Sequence, residues 1–137
     1  MAKKRLGRHG GVSIEISPGE LIDKISILEI KEERISEPDK LRNVRHQLRM
    51  LQEARERNLD SSVALTELEA RLKAVNDILW EVEDALRACE AVQDFGPGFV
   101  DLARSVYKTN DQRAALKKQI DTLFGAAITD EKQHPTY

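Results

Sequence analysis

Apolar residues recur at alternating three- and four-residue steps from Leu65 through Leu68, Leu72, Val75, Leu79, Val82 and Leu86 to Cys89 without a miss. An unbroken stripe of that period predicts one long helix, about residues 61–92, in coiled-coil-like packing, with Asp60 or Ser61 as its cap. Upstream, "SPGE" supplies Ser17 as N-cap, Pro18 at the first helical position and Glu20 at the third, the parts of a capping box. The first helix should therefore run from about Pro18 to Ile35, with Leu21, Ile22, Ile25, Leu28 and Ile35 inward. "SEPD" repeats the device with Ser36 as cap, and a second helix follows to about Arg57 on a stripe of Leu41, Val44, Leu48 and Leu51. "DFGPG", residues 94–98, is the sharpest break, after which Pro97 opens a fourth helix that Gly125 closes. Short connections make neighbours antiparallel. The expectation is an all-α fold, a four-helix antiparallel bundle of two shorter and two longer helices with a short N-terminal extended arm at "VSIEI", residues 12–16. A basic tail over 1–11, a bundle domain over 12–125 and a polar tail over 126–137 complete the plan.

The fourth helix carries polar residues where its own period calls for core. One register reads Phe99, Ala103, Val106, Asn110, Arg113, Lys117, Ile120 and Phe124, and the neighbouring one also passes through Arg113. A guanidinium inside a bundle cannot discharge and needs a carboxylate or an anionic ligand within reach. The third helix offers both acids and an aromatic at matching depth from the "DFGPG" turn: Asn76, Trp80, Glu83 and Arg87 on one face, with Glu81 and Asp84 beside them. The first helix is apolar nearly all round, yet it lines up Glu20, Asp23, Lys24, Ile27, Lys31 and Arg34 at helical spacing. These pieces predict an internal polar cluster of Asp23, Lys24, Lys31, Glu83, Asp84, Asn110 and Arg113. Either Arg113 closes on Glu83, Asp84 or Asp23 as a structural ion pair, or the cations hold an anionic ligand, phosphorylated or dicarboxylate.

Composition narrows the classes. A net charge of −2 argues against nucleic-acid binding, and no apolar run suits membrane insertion, so the expected location is cytoplasmic. The exception is the start, where Lys3, Lys4, Arg5 and Arg8 occur without an acid. One cysteine, Cys89, cannot form an internal disulfide. The histidines at 9, 46 and 134 have no ligand-spaced companions, so no metal centre of the zinc type is expected. Glu29, Glu32 or Glu33 with Glu81 and Asp84 would admit magnesium. Their E-x-x-E and E-x-x-D spacing is loosely similar to that of all-helical nucleotide pyrophosphohydrolases, and the "ELID" start loosely to chorismate-mutase bundles. Leu65 and Leu68 lie at the end of the third helix farthest from the turn, where shorter neighbours would leave them wet. A homodimer pairing those overhangs would cover them.

Three segments, "SPGELIDKISILEIKEERI", "ILWEVEDALR" and "FVDLARSVYKTNDQRAALKKQID", together resemble an uncharacterised family of small helical bacterial proteins. That resemblance, over residues 12–124, implies an association with lipopolysaccharide and surface-polysaccharide gene neighbourhoods and a glycosyltransferase-type protein partner. It implies no catalytic residues. Two functions remain as expectations: an accessory or interaction module in cytoplasmic steps of surface-glycan biosynthesis, or a small enzyme or ligand-binding protein that uses the polar cluster.

Overall fold

A computed structural model describes residues 10–126 and 131–136. The basic residues at 3, 4, 5 and 8 lie outside that range. Among the described residues four helices follow in order: α1 (Pro18–Arg34), α2 (Pro38–Asn58), α3 (Val63–Ala91) and α4 (Pro97–Leu123). The all-α bundle is the fold expected, and among the described residues no helix is long and apolar enough to cross a membrane. Residues 11–17 run without regular structure into α1, with Ile16 packed on the core.

The helix starts follow proline and serine chemistry, with two corrections to the expected caps. Ser17 Oγ accepts from the Glu20 N–H at 3.1 Å, as a capping serine should. The reciprocal half of the box is absent, because the Glu20 carboxylate turns to Lys117 and Lys24 instead. In α2 the N-cap is Glu37 rather than Ser36, and its side chain makes no cap bond. Pro38 occupies the first helical position, so the preceding residue must be extended and becomes the cap. In α3 the cap is Ser62, not Asp60 or Ser61, and its hydroxyl accepts from the Leu65 N–H at 3.0 Å. Gly125, at φ 59°, closes α4 in the left-handed region that glycine tolerates.

α1 is the hub. It packs against α2, α3 and α4, while α3 and α4 pack along each other and α2 packs only on α1. α2 reaches α3 through a side-chain bridge from Arg55 to Glu69. The core follows: Ile22, Ile25, Leu28, Leu48, Leu65, Leu72, Leu116 and Ile120 form one cluster around the hub. This arrangement moves the overhang. Leu65 is 0% exposed and Leu68 packs against the same cluster, so neither is left wet. The uncovered length is at the opposite end, where α3 and α4 run past α1 to the turn. No residue of α3 after Asn76 is buried, and none of α4 before Thr109. Val92, Phe95 and Val100 are exposed there, and Phe95 meets Phe99 edge-on at 5.3 Å between centroids.

One close approach seats α1 on α4. A Cβ added to Gly19 would stand 2.2 Å from the Lys117 carbonyl oxygen and 2.8 Å from Asp121 Oδ1. The Gly19 N–H donates to that same Oδ1 at 2.7 Å, so a fully buried carboxylate sits on the positive N-terminal end of α1. Its other oxygen, Oδ2, has no hydrogen-bond partner among the described residues. Gly19→Ala should therefore cost about 3 kcal/mol or prevent folding, as overpacking against backbone does. Gly98→Ala, in α4 with nothing within 4 Å of the new Cβ, should be neutral or mildly stabilising. Urea denaturation of the two variants checks the contrast.

Candidate functional site

The polar residues predicted inside the helices resolve into a closed network and an open cleft that share Arg113. Isoleucines bury α1 on several sides, and "DKISI" brings Asp23 and Ser26 into the interior with them. Asp23 is 1% exposed. Arg113 donates to it through two nitrogens, Nε to Oδ1 at 2.9 Å and Nη2 to Oδ2 at 2.5 Å. Asn76 of α3 donates to Asp23 Oδ1 at 2.9 Å and to Ser26 Oγ at 2.7 Å. The Ser26 hydroxyl in turn donates to the Asp23 carbonyl at 2.8 Å. Three helices are thus tied through one carboxylate.

Burial by itself would push the Asp23 carboxyl up, but hydrogen bonds from Arg113 and Asn76, helped by the charges of Arg113 and Lys117, hold it below its ordinary 3.8. Lys117, one turn further along α4, is also buried and its ammonium lies 2.6 Å from Glu20. Asp121 lies one turn beyond, on the Gly19 N–H. The α1–α4 seam is therefore polar over three successive contacts.

Above this floor lies a cleft of about 600 Å³, lined by Ile27 and Ile30 of α1, by Asn76, Leu79, Trp80, Glu83, Asp84 and Arg87 of α3, and by Asn110 and Arg113 of α4. It brings Glu83, Asp84, Asn110 and Arg113 together, and Asp23 stands directly behind Arg113. Lys24 is not with them: it is exposed, lies 3.5 Å from Glu20, and lines a different groove between the N-terminal arm and α2. Lys31 is half-buried and does not line the cleft. Glu83 reaches Arg87 at 3.3 Å. The side chains of Asp84 and Asn110 make no hydrogen bond or ion pair among the described residues. Arg34 lies 5.9 Å over the Trp80 ring and bonds Glu81 at 2.6 Å, closing the α1 end.

The carboxylates considered for magnesium are dispersed. Glu32 faces Arg45, Glu33 bonds Lys73, and Glu81 bonds Arg34. Burial pushes the half-buried Glu29 carboxyl up, with Lys73 opposing that. Among the described residues no three potential ligands converge on one point.

Three participants lay outside the predicted cluster. Lys117 occupies the same apolar register as Arg113, four residues on, and could have been included on that ground. Asn76 shares a face with Trp80 and Glu83. Ser26 gave no signal beyond being a small polar residue between isoleucines.

A sequence profile of the DUF6165 family, described as a family of unknown function, matches residues 12–137. No curated protein and no solved structure matches the chain.

Because the folded-state pKa of Asp23 is depressed, its contribution to stability is complete above the unfolded value and is lost as pH falls through the folded one. Arg113→Ala should cost about 3–5 kcal/mol at neutral pH, since it strands a buried carboxylate. The gap from wild type should narrow as pH falls, because the stranded Asp23 then protonates while the wild-type pair weakens. Arg113→Met with Asp23→Asn should recover much of the loss. Urea titrations at neutral and acidic pH measure all three.

Proposed function

We propose, for a chain that belongs to the DUF6165 family of unknown function, that it is a binding module and that its ligand enters the cleft between α1, α3 and α4. The observation that carries this is the division around Arg113. On one side Asp23 is consumed by two bonds from the guanidinium and one from Asn76. A carboxylate lowered below its ordinary value and already bonded to Arg113 and Asn76 suits structure better than proton transfer. On the other side lies open space with an uncommitted amide, Asn110, an uncommitted carboxylate, Asp84, and the Trp80 ring. Apolar walls with a few convergent polar groups are the usual make-up of a small-molecule site, and about 600 Å³ is an ordinary size for one.

The charges select the ligand. Glu83 and Asp84 balance Arg87 and Arg113, and Asp23 behind them tips the sum negative. Lys24 and Lys31, which an anionic ligand would need, are elsewhere. A neutral, hydroxyl-rich molecule with one apolar face, such as a sugar unit, suits this lining better than a phosphate or a dicarboxylate. The finer part of the proposal is a place in surface-glycan biosynthesis beside a glycosyltransferase-type partner, which the resemblance of the three segments implies and which would supply such ligands.

Trp80 is the chain's single tryptophan, so its fluorescence reports on the cleft directly. Titration with neutral mono- and disaccharides should shift its emission and raise the melting temperature, whereas phosphate and citrate should act only as salt. Asn110→Ala and Asp84→Ala should each weaken the response about tenfold while leaving the helical circular dichroism unchanged. A response to the anions with none to any sugar would overturn the ligand class. A response that survives both substitutions would overturn the site.

A further inference from the structure

The segment that leads into α1 has the pattern of a strand but pairs with nothing. Residues 12–16, "VSIEI", alternate apolar and polar, and Ser17, where they enter the helix, is still in the extended region. No backbone N–H or C=O from Gly11 to Ile16 makes a hydrogen bond among the described residues. Ile16 is anchored on the core, whereas Val12 and Ile14 are 83% and 76% exposed. An apolar strand with a free edge is a template for another strand. The arm borders a groove of about 830 Å³ whose α2 side carries Leu51, Ala54 and the exposed Met50. Two opposite charges line the same groove, Glu15 on the arm and Arg57 in the last turn of α2, and neither has an ion-pair partner among the described residues. Leu65 and Leu68, whose expected exposure suggested a pairing of copies, are covered, but this surface is not.

An identical arm meets each of these needs. Antiparallel strands centred on Ile14 set Val12 against Ile16 and Ser13 against Glu15, so that the apolar residues share one face and the polar ones the other. The pairing maps onto itself under a two-fold axis and so closes at two copies. A two-stranded ribbon is marginal by itself, but this one would rest on the apolar residues of α2. Uncommitted charges of both signs on one surface favour the same partner, since a two-fold can set Glu15 toward the partner's Arg57 and the reverse. We propose that the N-terminal arm joins two copies of this chain, as an antiparallel ribbon of residues 12–16 laid along the α2 groove. The proposal is independent of the cleft, because no residue lines both concavities.

Sedimentation of the full chain at rising concentration should show a monomer passing to a dimer and no further. Ile14→Asp replaces a side chain that the monomer leaves in water. It should weaken the dimer about tenfold or more while the circular dichroism, the urea midpoint and the sugar response of Trp80 stay as in wild type. Glu15→Arg and Arg57→Glu should each weaken the dimer, and the two together should restore it. Amide exchange at residues 12–16 should slow as protein concentration rises, because the ribbon uses those N–H groups. A monomer at every concentration, or a dimer that Ile14→Asp leaves intact, overturns the proposal. A dimer whose arm amides exchange as fast as those of the monomer overturns the ribbon. A monomer that floats with anionic vesicles and loses that binding in Ile14→Asp also overturns it, making the occupant of the arm a lipid surface.

Discussion

A single carboxylate, that of Asp23, joins three helices in this fold. It cannot be left alone at 1% exposure, because an unpaired charge in the interior costs several kilocalories per mole. It must therefore be met, and the groups that meet it fix the structure: Arg113 sets the register of α4 on α1, and Asn76 sets that of α3 on α1. An apolar contact would tolerate a slip along the helix, whereas the two-point bond from Arg113 does not. The network is stabilising chiefly in the sense that no other register satisfies it.

The remaining seam contacts extend the same logic along α1. Lys117 and Glu20 are one turn away, and the Gly19 N–H with Asp121 one turn further. Gly19 lets the two helices approach to backbone contact, and the polar pairs then need no space for bulky apolar side chains between them. This explains why α4 carries Arg113, Lys117 and Asp121 in steps of four where its period calls for core. It also explains why α1 can be buried on several faces while keeping acids.

The bundle and most of its helix ends could be read from the sequence, because hydrophobic period, proline and glycine act locally. The presence of Arg113 in the interior could be read for the same reason, as a violation of its own helix's pattern. Its partner could only be narrowed to Glu83, Asp84 or Asp23, since all three lie at the right depth and the choice depends on which face of α1 turns toward α4. The end of the hairpin that stays uncovered is hidden from the sequence for a similar reason. Leu65 is covered because α1 docks at the far end of the long hairpin, and nothing local specifies that end. Lys24 is the instructive case among the candidates. Its spacing with Asp23 and Ile27 is helical, but one residue of helix is a rotation of 100°, enough to carry it from the interior to a neighbouring groove.

That α2 packs along α1 and touches α3 through the Arg55–Glu69 bridge bears on how the chain assembles. Each hairpin, α1–α2 and α3–α4, is made of neighbours in sequence and forms with little loop-closure cost. The contacts that join them span 90 residues for Arg113 and Asp23 and 102 for Gly19 and Asp121. Joining the two hairpins therefore carries the larger loop-closure cost, and satisfying Asp23 is part of it. In the finished protein α2 packs along one helix, with the Arg55–Glu69 bridge as a side-chain tie to another. Its backbone amides should open to solvent exchange at lower free energy than those of α1, the layer it covers.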